Sequence, residues 1–144
     1  MGIFDSMQIN TSGLNLERLK LDVISSNIAN VNTTRTPDGG PYLKKEVIFE
    51  ETFKRQESYL TGEISNKSFG VRSTGIEENE ENTKLVYEPG HPDADANGYV
   101  TYPNVDMADE MIDMITTLRA YDANVTAINA SKAMLNKALQ ISGS

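Results

Sequence analysis

The sequence predicts an α+β chain in which long N- and C-terminal helices pair as an antiparallel, coiled-coil-like unit with a small β-rich insert between them. Apolar residues recur at helical spacing at both ends of the 144-residue chain. All 5 prolines and most of the glycines lie between residues 37 and 103, where they would break such helices. Short runs rich in β-branched and aromatic residues separate those breakers. The expected organisation is an N-terminal core helix over residues 1–36, a β-rich insert with acidic loops over 37–104, and a C-terminal coiled-coil helix over 105–144.

In the first segment Ile9, Leu16, Leu19 and Val23 form one seam. Leu14, Leu21, Ile24, Ile28 and Val31 form a second, about 130° round the helix. These predict either two packing partners or one broad face on a globular core. Asn27, Asn30 and Asn32 close the helix, where their amides can bond the last carbonyls, a neighbouring helix or a turn.

The last segment has the clearer pattern. Met107, Met111, Met114, Leu118, Tyr121, Val125, Ile128, Lys132, Leu135 and Leu139 follow three-four spacing with one charged position, a coiled-coil type of seam. Ala120, Ala123, Ala127, Ala130 and Met134 line a second stripe. Asp106, Asp109, Glu110 and Asp113 crowd the start, with Lys132 and Lys137 towards the end, which complements a helix dipole. Pro103 and Asn104 supply the expected stop and cap. A continuous helix over 105–141 would be about 55 Å long. Burying one seam does not offset the conformational entropy lost in ordering so long a rod. Both stripes are therefore expected to need partners, and other subunits are their simplest source.

Strands are expected at residues 42–49, 69–76, 84–87 and 99–102. Because this insert interrupts the helices, they are expected to run antiparallel with their free ends at one pole.

Composition excludes several kinds of chemistry. A formal net charge of −8 argues against nucleic acid, whose phosphates are gripped by clustered Lys and Arg. With no Cys and a single His, disulfides, thiolate nucleophiles and Cys- or His-rich metal sites are absent. Residues 93–98, Asp-Ala-Asp-Ala-Asn-Gly, resemble half of a calcium loop, but position twelve is Asn104 rather than Glu. An acidic turn is the expected structure there. Glu77, Glu78, Glu80 and Glu81 read as a solvated loop, and Asp38-Gly39-Gly40-Pro41 as a turn. No catalytic constellation, cofactor, metal, cleaved signal peptide or direct membrane insertion is expected. Taken alone, the C-terminal seam also suits a soluble coiled-coil adaptor or secretion-associated binding protein that closes as a dimer.

Residues 21–34, LDVISSNIANVNTT, closely resemble the signature of bacterial flagellar rod, hook and related axial proteins. The following TRTPDGGPYLKKEVIFE is similar to the proximal-rod members of that family. LVYEPGHPDADANGYVTYPNVD and EMIDMITTLRAYDANVTAINASKAMLNKALQI agree, while residues 51–83 are the least diagnostic. Asp122 stands where relatives tend to have Glu, which keeps the charge.

The resemblance implies a non-enzymatic, self-assembling building block of the flagellar basal body, located in the periplasmic rod. It would be exported unprocessed by the flagellar type III apparatus. Implied partners are copies of itself, other proximal-rod subunits and the adaptor to the membrane ring. It also implies terminal helices in an inner tube and the insert outside. Asn27, Asn30 and Asn32 belong to the signature; Met111, Met114, Arg119, Tyr121 and Asn124 belong to the C-terminal motif. Together with Leu14, Leu16, Leu21, Ile24, Ile28, Leu118, Val125, Ile128, Leu135 and Leu139, they form the expected assembly interface.

Overall fold

A computed structural model of the chain describes residues 3–57 and 64–142. The element order is α1 (Ile3–Ala29), β1 (Lys44–Glu57), β2 (Ile64–Asn79), β3 (Lys84–Tyr87), β4 (Tyr99–Tyr102) and α2 (Met107–Ser142). Two terminal helices thus bracket two small sheets, β1 with β2 and β3 with β4, as the sequence predicts.

α1 stops at Ala29, earlier than its second apolar seam suggests. The Asn30 side-chain amide donates to the Ser26 carbonyl at 2.9 Å, satisfying an end that would otherwise lack a partner. Val31 therefore lies beyond the helix.

At the other terminus the expected cap is corrected. Asp106, not Asn104, caps α2: its Oδ1 accepts the Ala108 N–H at 2.9 Å. Asn104 accepts the Lys44 N–H at 2.8 Å and donates to the Asn79 and Glu81 carbonyls at 2.7 Å each. It ties three stretches of the insert together. α2 runs to Ser142 with no basic residue in its last turn, so Lys132 and Lys137 lie too far back to complement the terminal carbonyls.

Residues group into two compact units, each drawing on both helices. The first comprises Met1–Leu19, Ile48–Gly75 and Thr117–Ser144. Here Glu50 pairs with Arg72, and the Thr74 hydroxyl donates to the Ile48 carbonyl at 3.2 Å. Partner numbers run in opposite senses, so β1 and β2 are antiparallel. Gly70, at φ +100°, brings β2 against α1. The Val71 N–H donates to Ser12 Oγ at 3.1 Å, and that hydroxyl donates to the Ile9 carbonyl at 2.7 Å. Among the residues whose side-chain burial is described, the one buried hydrophobic side chain of this unit is Leu16.

The second unit comprises Lys20–Val47 and Ile76–Thr116 and has a conventional core. Val23, Ile24, Tyr42, Val100 and Val105 are buried, with Pro103 among them. β3 and β4 pair antiparallel, from Lys84 opposite Tyr102 to Tyr87 opposite Tyr99. The Tyr87 and Tyr99 rings meet edge-on at 5.3 Å. Both strands match their expected limits, whereas β1 and β2 extend further than expected. Glu77 and Glu78 consequently fall on β2 rather than in a loop. Gly39 and Gly40 adopt φ values of +89° and +85°, which makes residues 38–41 the expected turn.

Gly13 lies against Asn124 in the first unit, and Asn27 bonds Glu110 in the second. Each unit therefore contains a contact between α1 and α2.

A Cβ on Gly70 would lie 2.1 Å from Ser12 Oγ and 3.3 Å from the Ile9 Cα. Gly70→Ala is therefore expected to destabilise the first unit by about 2–3 kcal/mol, through a clash added to an unfavourable φ. Hydrogen exchange should show protection falling in residues 9–16 and 68–75 ahead of the β3–β4 pair.

Candidate subunit interface and the buried polar cluster

α2 divides its expected seam between two faces. The row Glu110, Met114, Thr117, Tyr121, Asn124, Ile128, Ser131 and Leu135 alternates spacings of four and three, and every member is buried or half-buried. Met114, Tyr121, Ile128 and Leu135 were expected there. Glu110, Thr117, Asn124 and Ser131 occupy the places assigned by periodicity to Met111, Leu118, Val125 and Lys132. Met111, Leu118, Lys132 and Leu139 are exposed instead, and Val125 is half-buried. The covered face of α2 is thus half polar.

The uncovered face is apolar. Met107, Met111, Ile115 and Leu118 recur every three or four residues, with 46, 52, 51 and 45 % of their surface exposed. Such spacing aligns them along one side of the helix. Ile112, Met134, Leu139 and Ile141 are also largely exposed. Single exposed apolar residues are ordinary, whereas these form a continuous helical strip.

At the covered face near the start of α2, Asn27 is 1 % exposed and uses its full hydrogen-bonding capacity. Its Nδ2 donates to the Lys45 carbonyl at 2.9 Å and to Glu110 Oε2 at 3.0 Å. Its Oδ1 accepts from the Tyr42 hydroxyl at 2.9 Å and the Lys45 N–H at 3.0 Å. One amide thereby joins α1, α2 and the start of β1. Glu110, also 1 % exposed, has its other oxygen 2.9 Å from Lys44 Nζ. Oε1 makes no well-directed hydrogen bond, so the ammonium compensates it chiefly through charge. Burial pulls the Lys44 pKa down, but contact with Glu110 and the added charges of Glu46 and Asp113 outweigh it and hold the pKa above its ordinary value.

The remaining expected interface residues are distributed as follows. Leu16 and Ile24 are buried, Leu14, Leu21, Ile28 and Asn30 are half-buried, and Asn32 and Arg119 are exposed. Of the three signature asparagines, Asn27 binds the neighbouring helix and strand, while Asn30 caps its own helix. Tyr42, Lys44, Lys45 and Glu110 belong to the cluster without having been assigned to the interface. Glu110 reads in sequence as a dipole-complementing acid; only its four-three spacing with Met114 and Thr117 signals burial.

The acidic segment closes on itself. Asp95 Oδ1 accepts the Tyr99 and Asn97 N–H groups at 2.8 Å each, and the bond from Tyr99 above all holds its carboxyl below the usual range. Asp93 accepts from the Thr34 hydroxyl at 2.8 Å and faces Arg35 at 3.7 Å. Among the described residues, no three acidic or His side chains group as metal ligands. No described helix is long and apolar enough to cross a membrane.

Asn27→Ala removes a partner from Tyr42, Glu110 and both backbone groups of Lys45. It is expected to cost at least about 3 kcal/mol in chemical denaturation. The pH dependence runs the other way from an acid-sensitive pair. Because the folded Lys44 pKa is raised, its contribution is fully present below the unfolded value and is lost as pH rises through the folded one. Melting temperature should show no loss from Lys44 between pH 7 and about 10, near the ordinary lysine value, and Lys44→Met should remove its contribution to the decline above that range.

The comparisons with known proteins agree with this architecture. Residues 7–35 match the model of the flagella basal body rod protein family, and residues 96–141 match that of the flagellar basal body rod FlgEFG protein C-terminal region. The flagellar basal-body rod protein FlgC of Borreliella burgdorferi is 45 % identical over 98 % of both chains. Its counterpart in Bacillus subtilis is 42 % identical over 98 % of this chain and 99 % of its own. That of Salmonella typhimurium is 38 % identical over 98 % of both. With two helices whose covered faces meet at the matched segments, and with similarity along nearly the whole length, this chain belongs to the flagellar basal-body rod protein FlgC family.

Proposed function

We propose that this chain, a structural subunit of the flagellar basal-body rod, polymerises through the apolar faces that its terminal helices leave uncovered. The observation that carries the reading is the imbalance in the first unit. Among the residues whose side-chain burial is described, Leu16 is its one buried hydrophobic side chain, while Leu118, Met134, Leu139 and Ile141 remain exposed. A unit with so small a core gains stability when neighbours cover such side chains.

The strip through Met107, Met111, Ile115 and Leu118 supports the same conclusion from the second face of α2. A heterologous contact that repeats without closing builds a helical tube. In this reading the terminal helices form the wall of a torque-bearing shaft around an export channel, and the insert faces outwards. Neighbours would be copies of this chain, other proximal-rod subunits and the membrane-ring adaptor. The flagellar type III apparatus would deliver it unprocessed to the periplasmic rod. Leu14, Leu21, Ile28, Asn32, Arg119 and Val125 are the further positions offered to neighbours.

The test is the pair Met111→Asp and Leu118→Asp. Both side chains are half exposed in the single chain, so monomer stability should change by less than about 1 kcal/mol. Polymerisation in vitro and motility in the cell should be lost, because each neighbour would bury a carboxylate with no partner. Undiminished polymers would overturn the reading. So would sedimentation of the unaltered chain as a closed, concentration-independent dimer, the behaviour of a soluble adaptor.

A further inference from the structure

The apolar periodicity of the two helices leaves their register ambiguous. On α1, Ile9, Leu16 and Val23 recur every seven residues; on α2, so do Met114, Tyr121, Ile128 and Leu135. Sliding one helix past the other by a heptad, about 10.5 Å at 1.5 Å per residue, sets apolar rows against apolar rows again. The polar row of α2 does not share this indifference evenly. Ser131 satisfies its hydroxyl on its own helix, donating to the Ala127 carbonyl at 2.9 Å, so its bond survives any slip. Glu110 is different. Its carboxylate is 1 % exposed and is compensated by Asn27 and Lys44, both outside its own helix.

We propose that Glu110 is the register key of the helix pair: its buried carboxylate accepts compensation only where Asn27 and Lys44 converge, so one alignment of α1 on α2 is selected over its heptad-shifted alternatives. From the alignment of Asn27 with Glu110, a heptad slip one way would set Asn27 level with Pro103, before α2 begins at Met107. The opposite slip would carry Glu110 past Ala29, the end of α1. Either separates the carboxylate from Asn27. The key is therefore a specificity determinant, and selection of register is the best-attested use of a buried polar group. Its consequence for assembly rests on the proposed polymerisation. A fixed register would set how far along α1 the exposed strip at Met111 and Leu118 stands, and hence the surface each neighbour meets.

The chain has no cysteine, so an engineered pair reports register directly. Gly13→Cys is combined in turn with Asn124→Cys for the observed alignment and with Thr117→Cys or Ser131→Cys for the two slips. All use the full chain at a dilution where it is monomeric, which makes the reading independent of polymerisation. In the otherwise unaltered chain the 13–124 pair should oxidise at least about tenfold in preference to the others, the ratio set by one buried polar group losing its partner. In a Glu110→Leu, Lys44→Met background, helix content by circular dichroism should persist while that preference falls to about twofold or less. Glu110→Gln, which keeps an acceptor for Asn27, should restore it. Glu110→Ser, whose hydroxyl can bond its own helix as Ser131 does, is the second variant and should also lose it. Unchanged preference in the altered backgrounds, or none in the unaltered chain, would overturn the proposal. Loss of helix in both backgrounds would do the same, by assigning Glu110 to stability rather than register.

Discussion

A single buried amide sets the terms for the second unit. Asn27 spends two donors and two acceptors on α2, the Tyr42 hydroxyl and the Lys45 backbone, and at 1 % exposed it has no water to take their place. Burying polar groups is costly unless all are paired, so the position of β1, the start of α2 and the end of α1 are determined together. Lys44 carries the same constraint outward by placing its ammonium beside the Glu110 carboxylate. The apolar side chains around them, Val23, Ile24, Val100 and Val105, supply the driving force, but hydrophobic burial is not directional. Direction comes from the amide.

The same logic explains the unusual allocation of residues on α2. A helix that served only its own chain would turn Met111, Leu118 and Leu139 towards α1 and leave Glu110, Thr117 and Ser131 in water. The reverse arrangement keeps the intrachain contact selective and reserves the apolar surface for elsewhere. In the proposed polymer this division would let subunits bond strongly without competing with the helix pair for the same side chains. Close approach is used in a similarly selective way. Gly13 admits Asn124, and Gly70 admits Ser12, so two backbones meet polar side chains at places where any Cβ would hold them apart.

Periodicity and residue chemistry made much of the architecture legible. The limits of β3 and β4, the long C-terminal helix and the glycine turn at residues 38–41 all follow from local rules that need no partner. The ends of α1 and the cap of α2 were less legible. Val31 continues the apolar pattern of α1, yet Asn30 stops the helix; Asn104 is a good capping residue, yet the insert recruits it and leaves the task to Asp106. Propensity describes what a residue can do, whereas competition among distant groups decides what it does.

By itself, then, the sequence determined the element types, the existence of more apolar helical surface than one pair of helices hides, and the lack of thiol or multi-histidine chemistry. Which stripe of α2 is covered was decided only in three dimensions. Spacing specifies angles round a helix axis, and two stripes that share Met114, Tyr121, Ile128 and Leu135 but differ by one residue at the alternate positions satisfy it equally well. The choice turned on Asn27 and Lys44 converging on Glu110 from distant parts of the chain, with Tyr42 and Lys45 holding Asn27 in place, and a compensated buried carboxylate is indistinguishable in sequence from a solvated one.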